Sequence, residues 1–358
     1  MKKGRKGGCN LCGSRKFRVA YEKFNYSLVR CRGCGLVYSW PPIPEDVLFQ
    51  RYSEEYLFNE YLPIFKTDRT GFPIDLIRSH YSFFLHLLER FFNSGGKLLD
   101  IGCGPGFFLK VASERGWVGE GVDVSESAVR YATDVVGVRA RQGKFEDLNF
   151  PPDSFDAIVL LDTLEHLYDP LGSMRRCYGI LKKGGLLILN TPDYQSVSRR
   201  ILGKNWAILS PLEHLYNFSQ KTLHLLFKKA GFKDFIIHNQ PDFNPENTHS
   251  RENQRYRLWK KMHGRLEKSD YYWKWREFKQ NELMDDMADL KTADMEATMR
   301  GATTGDALRL QAICPGETET IPLKAGLHKE KKRRVGKKTY RFLSRIIRGD
   351  TLIAIAKK

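Results

Sequence analysis

The chain has 358 residues, 41% of them apolar and 28% charged, an ordinary globular usage that excludes a collagenous, disordered or disulfide-scaffold chain. Its length allows two or three folding units, and 59 Lys and Arg against 42 Asp and Glu leave a net charge of +17, which invites an anionic partner. No apolar run reaches the roughly 18–20 residues that a bilayer-crossing helix needs, and the basic start, Met1–Gly8, runs into Cys9, Asn10 and Cys12 instead of an apolar stretch; a cytoplasmic protein is expected.

Residues 1–40 carry Cys9-x2-Cys12 and Cys31-x2-Cys34, with eighteen residues between the pairs. That spacing predicts a four-thiolate zinc ribbon, with Gly13 and Gly35 turning the chain so that backbone N–H groups can face the sulfurs. Four thiolates leave no open coordination position, so the zinc is expected to be structural. Stripping it is expected to unfold the head and leave the rest largely intact. Arg15, Lys16, Arg18, Arg30 and Arg32 flank the ribbon and give it a basic face.

Residues 41–93 read as a helical linker or cap, in which Tyr52 and Tyr56 are candidate walls of a pocket. From 94 to 240 short apolar strands alternate with helical patterns, which predicts a parallel α/β sheet. The strands are Lys97–Ile101, Val118–Asp123, Val138–Gln142, Phe155–Leu161 and Gly185–Asn190; the helices are at 106–115, 126–133 and 170–181. Ser219 caps a further helix that ends at Gly231, Phe232–His238 follows as a strand, and the last strand-like run is Thr351–Ala356. The wide gap before it marks 241–335 as a charged, largely helical insertion, with 336–358 returning to the core. Lys337–Arg348 reads as an amphipathic helix, basic on one side, that packs on the sheet or makes peripheral contact with anionic lipid.

The most informative stretch is Lys97-Leu-Leu-Asp100-Ile-Gly102-Cys-Gly104-Pro-Gly106-Phe-Phe108: a strand, three alternate glycines, then a helix. G-x-G-x-G differs from the dinucleotide pattern G-x-G-x-x-G, and Pro105 removes an N–H donor, so a ligand without phosphates suits the turn. Asp123 ends the next strand, where a carboxylate can accept both hydroxyls of a ribose.

Here the sequence resembles the class I S-adenosylmethionine-dependent methyltransferases. The matching residues are Asp100–Gly106, Gly121-Val-Asp-Val-Ser125, Phe155-Asp-Ala-Ile-Val159, Leu164-Glu-His-Leu-Tyr-Asp-Pro170 and Leu181–Pro192; the cysteine head is similar to that of a subgroup. The resemblance implies a Rossmann-like seven-stranded sheet, with the zinc ribbon before it and the insertion before its last strand. It implies that Asp100, Gly102, Cys103, Gly104 and Gly106 line the methionine part of the cofactor and that Asp123 holds the ribose with Val124 against the adenine. Phe145 and Glu146 would lie beside the adenine, and Asp162 and Leu164 near the methyl group.

Methyl transfer needs a base only if the acceptor arrives protonated, and His166 and His214, where strand-end loops gather, are the candidates. By analogy with the subgroup the acceptor is a small molecule, a glycan or sugar-nucleotide intermediate ahead of a macromolecule. The alternatives are an RNA methyltransferase, favoured by the basic charge, and a non-catalytic zinc-ribbon scaffold, which the complete glycine turn disfavours. The oligomeric state is not legible.

Overall fold

The computed structural model describes residues 8–65, 67, 71–206, 208–240 and 351–358, with a few positions between 283 and 290. The expected insertion at 241–335, apart from those few positions, and the basic helix at 337–348 lie outside the described residues. By packing the chain divides into two units: residues 1–273 with 347–358, and residues 274–346. In the second, Leu283 and Met287, one helical turn apart, are buried.

The first unit is built on two sheets. The smaller comprises β1 (Phe17–Lys23), β2 (Tyr26–Cys31), β3 (Val37–Trp40) and β9 (Tyr216–Asn217), in the order β1-β2-β3-β9 and antiparallel throughout. The larger has seven strands: β4 (Lys97–Ile101), β5 (Val118–Asp123), β6 (Ala140–Gln142), β7 (Phe155–Leu161), β8 (Leu181–Pro192), β10 (Asp234–Gln240) and β11 (Thr351–Lys357), in the order β10-β11-β8-β7-β4-β5-β6. β4 through β8 pair in parallel, and β11 runs antiparallel between β8 and β10. This is the Rossmann-like α/β architecture that the sequence predicts.

The helices follow from local chemistry. α1 (Ile74–Glu89) precedes the sheet; α2 (Phe107–Glu114) starts at Gly106, whose φ of +79° suits only glycine without strain. Gly119 and Gly121 on β5 let α2 lie close: a Cβ on Gly119 would come within 2.7 Å of Leu109. Ser125 caps α3 (Glu126–Tyr131) by accepting from Ala128 N–H, and Asp169 caps α4 (Pro170–Ile180), where Pro170 stands at the first helical position. Ser219 and Thr222 close a capping box at α5 (Gln220–Ala230), which stops at Gly231.

Four strands differ from their expected spans: β10 lies two residues later, at Asp234–Gln240, and β11 runs one residue further, to Lys357. β6 is shorter, beginning at Ala140, and β8 starts at Leu181, directly after α4. Leu181 pairs with Phe155 ahead of a register shift, and Lys182 reaches Asp156 at 2.8 Å, so the Lys-Lys-Gly-Gly run is absorbed into the strand.

The cysteine head is not a separate body. β9, contributed from between β8 and α5, extends its sheet: Val37 pairs with Asn217 and Tyr38 with Tyr216. Cys9, Leu11, Val29 and Leu36 belong to the same buried apolar cluster as Leu187, Leu223 and Phe227. Asn10, between the first two cysteines, donates to Asp169 Oδ1 (2.8 Å) and accepts from Leu171 N–H (3.3 Å) at the start of α4. Independent unfolding of the head, expected from sequence, does not fit a shared sheet and a shared core.

Candidate active site and zinc centre

Parallel strands bring their carboxyl ends to one edge, where Gly102, Asp123 and Asp162 follow or end β4, β5 and β7. Asp100, near the end of β4, is 2% exposed; burial, with the charge of Asp123, pushes its carboxyl up to about 8. Asp123 Oδ2 accepts from Gly104 N–H (2.8 Å) and Oδ1 from Ser125 N–H (2.9 Å). Burial raises this carboxyl too, and those donors oppose the rise. The Asp123 side chain thus fixes the turn as well as facing it.

The three glycines serve different ends. A Cβ on Gly102 would meet Thr163 Oγ1 at 2.4 Å, and one on Gly106 would meet Val138 at 2.5 Å, so both are required by close packing. Gly104 has the Tyr61 side chain near its Cβ position, the hydroxyl at 3.5 Å and the ring from 3.6 Å. Here is a cradle of backbone, with a buried carboxylate at one end and a carboxylate on the neighbouring strand, which fits the amino-acid and ribose parts of S-adenosylmethionine.

Cys103 turns away from the cradle. Its side chain packs against Gly121 and its N–H is spent on the Val122 carbonyl. Val124 is half-buried beside Asp123. Phe145 (3% exposed) and Leu164 (0%) lie in the apolar core, and one oxygen of the Glu146 carboxylate accepts from Ser173 on α4. Asp162, at φ +49°, exchanges two hydrogen bonds with the Asn190 side chain, each 2.9 Å.

Residues 45–65, within the segment read from sequence as a helical linker or cap, form a roof beside the glycine turn, with Tyr61 next to Gly104. The Tyr52 carbonyl accepts from Ser125 Oγ (3.0 Å), and its ring stands edge-on to His166. Arg51 bridges Glu60 (2.7 Å) and Glu213 (2.8 Å), tying this segment to the loop that holds His214. Tyr61 is hydrogen-bonded to Tyr81 of α1, and burial holds both phenols above their ordinary range. The density of Tyr52, Tyr56, Tyr61 and Phe65 was the available signal; which ring covers the glycines was not.

Beside Asp162 the His166 and His214 rings lie 4.7 Å apart. His166 Nδ1–H donates to the Glu213 carbonyl (2.8 Å) and His214 Nδ1–H to the Ile208 carbonyl (2.7 Å), so the lone pair of each neutral ring is on Nε2. Burial, with the neighbouring ring, drops His166 to about 3, and burial lowers His214 against the opposing pull of the Ile208 carbonyl, Glu213 and Asp162, which makes either a weak base. Trp206, at 3% exposed, belongs to the core.

In the head, Cys9 and Cys34 sulfurs are 3.6 Å apart and those of Cys12 and Cys31 3.4 Å. Both separations are far beyond the ~2.05 Å of a disulfide and close to the spacing around a tetrahedral ion with Zn–S bonds of ~2.3 Å. Backbone N–H groups of Leu11 and Cys12 reach Cys9, that of Ser14 reaches Cys12, and that of Leu36 reaches Cys34. Hydrogen bonds from its neighbours, Cys9 first, lower the Cys34 thiol, and the same pairing raises Cys9, so the two sulfurs share a proton. The four residues fit zinc.

Residues 77–235 match a family model described as a methyltransferase domain. Ubiquinone biosynthesis O-methyltransferases are similar to this chain: that of Pseudomonas savastanoi pv. phaseolicola is 34% identical over 154 residues, 41% of this chain and 61% of the relative. That of Pseudomonas entomophila is 35% identical over 109 residues, 29% of this chain and 47% of the relative. The chain thus spans about half the length of these relatives. A solved S-adenosylmethionine-dependent methyltransferase from Thermotoga maritima has 28% identity over 55% of this chain and 85% of its own, with a TM-score of 0.42. Residues 77–235 thus carry the sequence signature of a methyltransferase domain, set on a seven-stranded sheet with the glycine turn after β4.

Proposed function

We propose that the protein methylates an oxygen of a small-molecule acceptor, using S-adenosylmethionine. The observation that carries this is the complete cradle of Asp100, Gly102, Gly104, Gly106 and Asp123, opening toward the Asp162 and histidine side of the same sheet edge. The oxygen acceptor is supported by the O-methyltransferase relatives. A glycan or sugar nucleotide, expected from the cysteine head, is the first acceptor class to test, and the zinc of that head is proposed as structural.

The cofactor supplies a methyl group on a positively charged sulfur, already activated for in-line displacement. Asp100, ionised, would pair with the cofactor's amino group, and the remaining lone pairs of Asp123 would accept from the ribose hydroxyls. Tyr61 and Tyr52 cover the edge and exclude water from the reacting line. As the acceptor oxygen bonds to the methyl carbon, the carbon–sulfur bond breaks and the sulfur keeps its electrons; the hydroxyl proton leaves toward the Nε2 lone pairs of His166 or His214.

Calorimetric titration of the full chain with S-adenosylmethionine and S-adenosylhomocysteine, with NADH as control, tests the reading. Micromolar binding of the first two alone is expected, followed by methyl incorporation into a member of a hydroxylated small-molecule panel. Absence of binding overturns it in favour of a scaffold. Methylation of RNA with steep salt dependence would reassign the acceptor.

A further inference from the structure

The hairpin of the cysteine head carries a strip of cations that neither the zinc site nor the core uses. Arg18 on β1 and Arg30 on β2 are register partners, both exposed, and beside them the Arg32 N–H donates to the Lys16 carbonyl. Like charges set directly opposite each other on a ladder cost stability. Protection of a sheet edge accounts for charge on the outermost strand, β1, but Arg30 stands on β2, between two neighbours. Among the described residues neither guanidinium is paired with a carboxylate.

A register shift between Val19 and Tyr21 puts Tyr21 on the same face as Arg18, since their partners Leu28 and Arg30 are two residues apart on β2. The segment after β8 packs against that face. Arg199 Nη1 donates to the Tyr21 hydroxyl (3.3 Å) and Nε to the Tyr194 carbonyl (2.7 Å), while the guanidinium lies 4.5 Å over the Tyr194 ring. The Tyr21 and Tyr194 side chains meet, and the Arg30 charge acts on Tyr194 beside that of Arg199. Arg199 is therefore fixed in place with Nη2 left for a ligand, the planar fork that suits an oxyanion.

The strip ends at the reacting edge. Lys23, half-buried on the same face, is close enough to Glu213 for that carboxylate to favour its charge, and the Glu213 carbonyl accepts from His166. On the other side the Thr191 hydroxyl donates to Glu165 (2.8 Å), and Tyr194 follows three residues later. At ~3.4 Å per residue, Tyr21 stands about 7 Å along β1 from Lys23, within the reach of a small molecule.

We propose that Arg18, Arg30 and Arg199, beside the Tyr21 hydroxyl, bind a phosphate or diphosphate group carried by the acceptor, whose own hydroxyl then lies toward His166 and His214. The inference rests on the reading of methyl transfer to a small molecule. It gives the cysteine head a share in acceptor selection: the four thiolates hold the hairpin, and the hairpin brings the cations. Neutral acceptors lack this anchor.

Calorimetric titration of the full chain with pyrophosphate, in the presence of S-adenosylhomocysteine and at fixed ionic strength, is the test. The parent should bind pyrophosphate, and Arg30→Gln and Arg199→Gln should bind it at least about tenfold more weakly. Lys228→Gln, on the exposed side of α5, removes the same charge away from the strip and should bind as the parent does. No binding by the parent, or the same affinity in the arginine variants as in Lys228→Gln, overturns the proposal; Arg30 is exposed, so its variant reads the site without disturbing the core. A nucleoside diphosphate sugar should displace pyrophosphate. Displacement by vesicles of phosphatidic acid and not by the sugar would overturn the proposal in favour of a membrane surface. S-adenosylhomocysteine affinity, measured on the same samples, reports separately on the methyltransferase reading and should not change in Arg30→Gln.

Discussion

Tyr38 of the cysteine head and Tyr216 of the methyltransferase domain are register partners across β3 and β9, with ring centroids 6.5 Å apart. A sheet that runs from one part into the other transmits instability in both directions. Chelation of the ribbon zinc should therefore lower the melting temperature of the whole first unit and give one transition, not two. Cofactor affinity should fall with it. Scanning calorimetry before and after chelation, with Cys12→Ser beside the parent, checks this; an unchanged main transition would mean that the head folds on its own.

Gly102→Ala tests the packed side of the glycine turn. The new methyl group would sit 2.4 Å from Thr163 Oγ1 at a φ of +75°. Strain and overlap together should cost about 1–3 kcal/mol in stability and reduce S-adenosylhomocysteine affinity at least about tenfold. Thermal unfolding and calorimetry on one preparation separate the two effects.

Asp123→Ala should weaken cofactor binding about 10- to 100-fold, the equivalent of charged hydrogen bonds worth ~1.5–3 kcal/mol. Because the same carboxylate holds Gly104 N–H, the variant also loosens the turn. Asp123→Asn keeps an acceptor oxygen and should lose less. Equal losses for Ala and Asn would place the effect in the charge alone.

The Asp100 carboxyl is raised to about 8 and Glu165 likewise, both chiefly by burial. A carboxyl whose folded pKa exceeds its unfolded value binds its proton more tightly when folded, so its contribution to stability is lost as pH rises toward the folded pKa. The ligand-free protein should melt at progressively lower temperature from pH 6 to about 8. Asp100→Asn should remove part of that slope and leave the part due to Glu165. Affinity for the cationic cofactor should rise over the same interval as Asp100 ionises.

β4, β5 and β7 occupy Lys97–Ile101, Val118–Asp123 and Phe155–Leu161, as the sequence predicts; β4 and β7 were legible from their largely buried apolar cores, and β5 from its place in the strand and helix alternation. The glycine turn was legible because φ values of +75°, +50° and +79° demand a residue type that can be seen. What escaped depends on distance along the chain. β9 is two residues long and exists only because β3 lies beside it. The bond from Ser173 to Glu146 spans 27 residues, and the roof over Gly104 required the fold to bring Tyr61 there.

β11 sits between β8 and β10, with Thr351 opposite both Pro192 and Gln240. During synthesis the ribbon can complete its sheet once Tyr216 and Asn217 emerge, but β8 and β10 have no bridge between them until 351–357 leaves the ribosome. The nascent chain therefore carries two open strand edges through more than a hundred residues of translation. Residues 351–358 are therefore no tail: removing them takes out the strand that joins β8 to β10.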